Sequence, residues 1–236
     1  MSTFVLGDIH GAFKALKQCF KRSEFSLEND CLIFLGDVCD RGPDTVECID
    51  FLLEVNNLIP LMGNHDWWTM KWLKGEEFDM EKWMKHGGQE TYDSYIQSHD
   101  FDSLKQTHLK KYYDKLLPYF KDDHNRVFVH AGFDWTGPIE ETGFSNDYYW
   151  DRELFRAAVH YHPENLKFPK SSPYEEIYIG HSPTHRLNSQ FDGSKPIRLC
   201  NVWCMDQGAG WGLQLSMMDI DSKVVFQSDR VDELYK

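Results

Sequence analysis

Three short stretches gather oxygen and imidazole donors: Gly7-Asp8-Ile9-His10-Gly11, Gly36-Asp37-Val38-Cys39-Asp40-Arg41-Gly42 and Gly63-Asn64-His65-Asp66. Two later histidines stand in similar settings, Val129-His130-Ala131-Gly132 and Ile179-Gly180-His181-Ser182. Asp, Asn and His suit hard or borderline divalent metals and not soft thiolate sites. Arg41 adds a planar guanidinium, which matches phosphate oxygens two at a time. No Cys-x5-Arg loop accompanies them: Cys39 is followed at once by Asp40 and Arg41, with no phosphate-cradling run. Together these residue types point to a divalent-metal site beside a guanidinium suited to an anionic group.

Such donors need rigid supports that bring distant segments together. Apolar runs Thr3–Leu6, Cys31–Leu35 and Leu58–Met62 precede the first three motifs and read as buried strands. Residues just past the C-terminal ends of strands project into the crevice where α/β folds bind ligands. Helical spacing of Phe13, Leu16 and Phe20 predicts a helix over Ala12–Phe20. A second is predicted near Asp44–Glu54, opened by Pro43, with Val46, Ile49, Leu52 and Leu53 as its apolar stripe. This alternation favours right-handed crossovers and mostly parallel neighbours.

From Asp66 to about Phe120 no strand pattern stands out, and aromatics are dense, among them Trp67, Trp68, Trp72, Trp83, Tyr92, Tyr95, Tyr112, Tyr113 and Tyr119. Several helices with a break at Gly87-Gly88 are expected, their aromatics filling a helical core or lining a groove. Strand character returns at Arg126–Val129, Glu176–Ile179, Arg198–Met205, Leu213–Ile220 and Lys223–Gln227, with Asp219–Lys223 as a hairpin turn. His162–Pro173 reads as a surface loop. The 236 residues predict one α/β domain, a four-layer α/β/β/α sandwich with a helical insert at about 67–120.

Bulk properties narrow the class. A net charge of −13 argues against broad nucleic-acid binding, which needs clustered Lys and Arg to displace counterions. An anionic substrate stays compatible, because bound cations supply a local positive field. The six cysteines, Cys19, Cys31, Cys39, Cys48, Cys200 and Cys204, form no CxxC pair and read as free thiols in a reducing compartment. Cys39, inside a motif, is a candidate for oxidative inhibition. Met1 precedes the first strand by two residues and no apolar stretch of about 20 residues exists, so a cytoplasmic, non-membrane protein is expected.

In this order the motifs resemble the phosphoprotein phosphatase family of the calcineurin-like metallophosphoesterases, and the likeness extends through Met205-Asp206-Gln207-Gly208. The resemblance implies two divalent ions, with Mn²⁺ expected and Fe²⁺ or Zn²⁺ as alternatives. Asp8, His10 and Asp37 would hold one; Asp37, Asn64, His130 and His181 would hold the other. Asp37 would bridge, since a carboxylate can span metals about 3.5–4 Å apart, and water between them becomes the nucleophile for direct in-line attack. Arg41 and a later arginine would bind the phosphoryl oxygens. Arg152, in Tyr149-Trp150-Asp151-Arg152-Glu153, is the candidate, with Arg156 one helical turn later. His65 would be the general acid and Asp40 the carboxylate that orients it. Asp66, where the family often carries Glu, has no assigned role.

Two departures bear on the substrate. Diester-cleaving relatives carry Gly-His-x-His, whereas this chain has Gly180-His181-Ser182-Pro183, and His185 lies two positions too late to ligate. Gly63-Asn64-His65-Asp66 and Gly208-Ala209-Gly210-Trp211-Gly212 look similar to symmetrical diadenosine tetraphosphate hydrolases. That group commonly lacks the acid-orienting Asp, which is present here as Asp40. The favoured expectation is a serine/threonine protein phosphatase acting on phosphoproteins or small phosphoesters, of the compact bacterial and phage kind. A dinucleotide tetraphosphatase is the alternative. An inactive phospho-ligand binding module is a third reading, opposed by retention of every expected ligand.

Overall fold

The computed structural model describes residues 1–142, 145–162, 172–187 and 191–236. Strands β1 (Thr3–Leu6), β2 (Cys31–Phe34) and β3 (Asn57–Pro60) lie parallel, linked by helices α1 (Phe13–Ser23) and α2 (Thr45–Leu52). Next come α3 (Asn64–Lys74), α4 (Met80–Trp83), a π turn at Met84–Gly88, α5 (Gln89–Ile96) and α6 (Phe101–Lys111). Strands β4 (Tyr119–Lys121) and β5 (Arg126–Val129), short helices α7 (Ile139–Thr142) and α8 (Ser145–Trp150), and α9 (Glu153–Tyr161) follow. The chain ends with β6 (Glu176–Ile179), β7 (Ile197–Leu199), β8 (Val202–Cys204), β9 (Ser216–Asp219), β10 (Val225–Gln227) and α10 (Val231–Leu234).

The strands form two five-stranded mixed sheets, β10-β9-β1-β2-β3 and β4-β5-β6-β8-β7. The parallel strands at each centre are continuous apolar runs because both faces are covered. Val5, Ile33, Leu35 and Leu61 from the first sheet meet Phe128, Tyr178 and Met205 from the second. Phe128 and Tyr178 stack at 4.7 Å between ring centres. On its outer face the first sheet packs Leu6, Leu32 and Phe34 against Leu16, Phe20, Ile49 and Leu52 of α1 and α2. The second sheet packs Val127, Val129, Ile177 and Ile179 against Tyr148 and Leu154 of α8 and α9. The result is the expected α/β/β/α sandwich, with both central sets of parallel strands ending at the same edge.

Several element boundaries differ from the sequence reading. Arg198–Met205 is not one strand: β7 and β8 form an antiparallel hairpin, turned at Cys200, whose φ is +57°. Apolar residues on both arms hid that turn. Tyr119–Lys121, read as the end of a helical stretch, is an edge strand antiparallel to β5. Its three residues are too few for period-2 alternation to register. Helix α3 starts at Asn64, so the third donor motif occupies a helix's first turn. The Gly87-Gly88 break is present, with Gly87 at φ +103°. Of the predicted loop His162–Pro173, residues 163–171 lie outside the described residues. No helix among the described residues is long and apolar enough to cross a membrane.

Candidate active site

Five donors meet at the shared edge of the two sheets. His10 follows β1, Asp37 follows β2, and Asn64 opens α3 just after β3, while His130 and His181 follow β5 and β6. Asp37 is the centre of the group. Its Oδ2 lies 3.8 Å from His10 Nε2 and 3.4 Å from His130 Nε2, and Asn64 Oδ1 lies 3.1 Å from His130 Nε2. Asp37, His130 and His181 form one buried three-donor group; His10, Asp37 and His65 form another. Asp8 is in neither: its carboxylate accepts the His181 backbone N–H at 3.0 Å. His185 is exposed and joins neither group.

The backbone is bent to make this meeting possible. His10, Asp37, Asp40, Arg41 and His181 all have φ between +50° and +71°. Non-glycine residues adopt this region at a cost of about 1–3 kcal/mol and concentrate at functional sites. Asp66 holds one such bend. Its carboxylate accepts the N–H of Asp37 at 2.6 Å, of Val38 at 3.0 Å and of Gly63 at 3.0 Å. Asp37 Oδ1 in turn accepts the His65 N–H at 2.9 Å, capping the first turn of α3. Asp66, unassigned from sequence, is thus the tie between the second and third motifs.

His65 Nδ1 lies 2.6 Å from Asp40 Oδ2. Both Asp40 oxygens also receive the Trp83 indole N–H, at 3.0 and 2.9 Å, and both residues are buried. Trp83 comes from the helical insert, packed against Gly88. Gly87 beside it accepts the Arg41 N–H at 2.9 Å, and a Cβ there would stand 2.7 Å from Arg41 N. The glycine break therefore lets the insert seat directly on the second motif.

The cleft over these donors has a volume of about 160 Å³. Arg41 and Arg152 both line it, as does Arg186, which sequence reasoning missed. Arg156 is not among the lining residues and pairs with Glu153. Trp68 and Trp150, 4.8 Å apart, form one wall with Lys82 and His86, while Trp211 forms the other. The Gly208–Gly212 loop carries Trp211 close in: a Cβ at Gly210 would stand 2.4 Å from the His10 ring. Asp206, also missed, is buried in the cleft floor just past β8. The rule that flagged Asp8 and Asp37, a polar residue beyond a strand end, also applied to Asp206. Arg186, five residues after His181 on an irregular loop, had no comparable signal.

Electrostatics fit the donor set to divalent cations. Burial, Asp206 and Asp37 push the Asp8 carboxyl well above its ordinary range. Burial and Asp37 push Asp206 up to about 6. Three carboxylates crowded this way repel one another, and cations relieve that. Burial and the neighbouring His65 lower His10 to about 3; burial and His130 lower His181 well below the imidazole norm. Both rings are neutral and offer a lone pair, as metal ligation requires. His10 Nδ1 and His130 Nδ1 face the carbonyls of Cys39 (2.9 Å) and Leu35 (2.8 Å), which leaves each Nε2 aimed inward. His181 Nε2 is buried with no hydrogen-bond partner. Burial opposes charge on Asp37 and His130 alike, yet their mutual attraction prevails. It holds Asp37 well below its usual range and raises His130 to about 9. Cys39 is buried, and burial with Asp40 and Asp66 raises its thiol pKa, which disfavours the reactive thiolate.

The calcineurin-like phosphoesterase family profile matches residues 1–210. Serine/threonine-protein phosphatase 1 of Salmonella typhimurium is 24% identical over 92% of this chain and 91% of its own length. The symmetrical bis(5'-nucleosyl)-tetraphosphatase of Actinobacillus pleuropneumoniae is 21% identical over 98% of this chain and all of its own length. The Erwinia tasmaniensis enzyme of that name reaches 40%, but over 67 residues, 28% of this chain and 24% of the relative. A crystal structure of a candidate diadenosine tetraphosphatase superposes with a TM-score of 0.63 at 16% identity, covering 95% of this chain and 91% of the other.

Proposed function

Since this chain belongs to the calcineurin-like phosphoesterase family and is a metallophosphoesterase, we propose that it is a serine/threonine protein phosphatase. The observation that carries this reading is the buried Asp40–His65 pair, clamped by the Trp83 indole. A serine or threonine alkoxide is a poor leaving group and needs a proton as it departs; a nucleotide phosphate leaves readily without one. A histidine fixed by a buried carboxylate is built for that task.

In this reading Asp8, His10, Asp37, Asn64, His130 and His181 hold two divalent ions, with Mn²⁺ the proposed species. When bound, the ions supply Lewis acidity and a nucleophile from water at neutral pH. The chain's own residues do the rest. Arg41 and Arg152 grip the phosphoryl oxygens and fix the ester for in-line displacement. Asp40 keeps a proton on His65 Nδ1, so the proton for the leaving oxygen is delivered from Nε2. Asp66 keeps Asp37 and the α3 turn in register, and the Trp68–Trp150 wall keeps bulk water from one side of the cleft.

The second reading, a symmetrical dinucleotide tetraphosphatase, is favoured by the aromatic walls: the partly exposed Trp150 and the half-exposed Trp211 offer faces on which bases can stack. The deciding experiment compares kcat/KM for a phosphothreonine peptide and for diadenosine tetraphosphate with Mn²⁺, using His65→Asn as control. A higher value on the peptide, lost in the variant, upholds the phosphatase reading. Preference for the dinucleotide overturns it. Absence of any metal-stimulated turnover would mean a binding module.

A further inference from the structure

Seven of the eight arginines of this acidic chain divide into two sets; the eighth, Arg198, is exposed on β7, outside the cleft lining and without an ion pair among the described residues. Arg22, Arg126, Arg156 and Arg230 each sit in an ion pair with a carboxylate. Arg41, Arg152 and Arg186 make no ion pair among the described residues, and all three line the active-site cleft. A chain with a net charge of −13 has ample carboxylates to neutralise them. Unpaired guanidinium groups held together repel one another, so their convergence is explained by an anion that binds between them.

One phosphoryl group does not use all three. Arg41 is partly buried behind the cleft mouth, whereas Arg152 and Arg186 are both exposed at the rim. Arg186 is nonetheless held in place. Its guanidinium carbon lies 4.6 Å from the centre of the Trp211 ring, and that of Arg41 lies 4.1 Å from the same ring. The indole is thus a spacer between an inner and an outer guanidinium. Such stacking orients the planar group while leaving its N–H edge free for carboxylate or phosphate. Trp211 is 49% exposed, so the outer position opens to a substrate lying along the rim.

We propose that Arg186, stacked on Trp211, forms an outer anion subsite that selects substrates carrying a second negative group next to the scissile phosphate. On the phosphatase reading, on which this rests, that group is an Asp or Glu side chain, or a second phosphate, in the residues flanking the phosphorylated one. Arg186 is then a specificity residue that contributes to binding; the chemistry stays with the inner residues.

The test uses the Mn²⁺-supplemented full chain and two phosphothreonine peptides, one with neutral flanks and one with aspartates on both sides, and adds diadenosine tetraphosphate. A charge-assisted hydrogen bond of this kind corresponds to about tenfold in kcat/KM. The wild type is expected to prefer the acidic peptide by about that factor, through KM. Arg186→Ala removes the preference, and Arg186→Lys restores part of it. Raising the salt concentration weakens the preference in the wild type. An equal preference in wild type and Arg186→Ala, or none in the wild type, overturns the subsite. Should neither peptide be turned over while the dinucleotide is, the phosphatase reading falls. The subsite then stands if Arg186→Ala raises KM for the dinucleotide and falls if it does not.

Discussion

The floor and the rim of the cleft are built on opposite plans. In the floor, the donors sit buried at strand ends and in the first turn of α3, and four of these side chains are tied by a second bond to backbone or carboxylate: His10 to Cys39, His130 to Leu35, His65 to Asp40, and Asp37 to the α3 turn. At the rim, the exposed Arg152 and Arg186 stand without carboxylate partners among the described residues, beside tryptophans drawn from α8 and the Gly208–Gly212 loop. A fixed floor keeps one geometry for one reaction. A rim of unpaired cations and aromatic faces leaves its free energy of interaction to the substrate. Change in the floor should therefore act on kcat, and change at the rim on KM.

The largest expected effect is removal of the floor's centre. Asp37→Ala, or exhaustive chelation of the wild type, should bring turnover to background, with Mn²⁺ restoring only the chelated wild type. Cations added to the wild type should also raise its melting temperature, because a ligand that binds only the folded state stabilises it. Activity persisting in Asp37→Ala would remove the distinction between floor and rim.

His65→Asn comes next. It should lower kcat on a phosphothreonine peptide by about 10²–10⁴ and much less on p-nitrophenyl phosphate, whose leaving group needs no proton. Equal losses on both esters would mean that His65 serves in binding. Trp83→Phe keeps an aromatic ring, though a smaller one, and removes the N–H on Asp40, so its loss should follow the same ester dependence at a smaller magnitude.

Asp66→Ala sharpens the comparison from the side of stability. It strands three buried N–H groups and should cost about 1–3 kcal/mol in denaturant unfolding for each that stays unpaired, together with about 10–100-fold in metal affinity. A variant of wild-type stability with normal metal binding would show that the strained turn at Asp37 holds without its tie.

The smallest effect lies far from the cleft. Burial works against ionised Glu176, but Lys223, Trp203 and Tyr178 hold its carboxyl below the ordinary range. A depressed folded-state pKa stabilises the fold above the unfolded value, about 4.3, and that stability is lost as pH falls through the folded value. Wild type should therefore exceed Glu176→Gln in stability at pH 7, with the gap closing below about pH 4.3. A gap independent of pH would assign the effect to lost packing.

The central strands were legible because a strand buried on both faces must be a short apolar run, and Arg126–Val129 and Glu176–Ile179 fall where the sequence placed them. The donor motifs were legible as a set: a lone polar residue after such a run is more often structural, and it is their order along the chain, resembling the family's, that marked them as ligands. Arg152 was legible through the resemblance alone. Trp83 was not, since one tryptophan among many aromatics carries no sign of which will reach Asp40. Arg186 and Asp66 escaped for the same reason. Their roles depend on partners 25 or more residues away, such as Trp211 for one and Asp37 for the other.

The sequence by itself determined a divalent-metal site, because the donor types and their place after buried strands follow from local chemistry; the reaction class followed from the order of the motifs, which resembles that of the metallophosphoesterases. Tertiary structure alone decided how those donors are held and what surrounds them. The left-handed turns at Asp37 and Arg41, the indole clamp on Asp40 and the three converging guanidinium groups all arise where separate segments touch. Contact across the fold depends on packing, which local sequence does not encode.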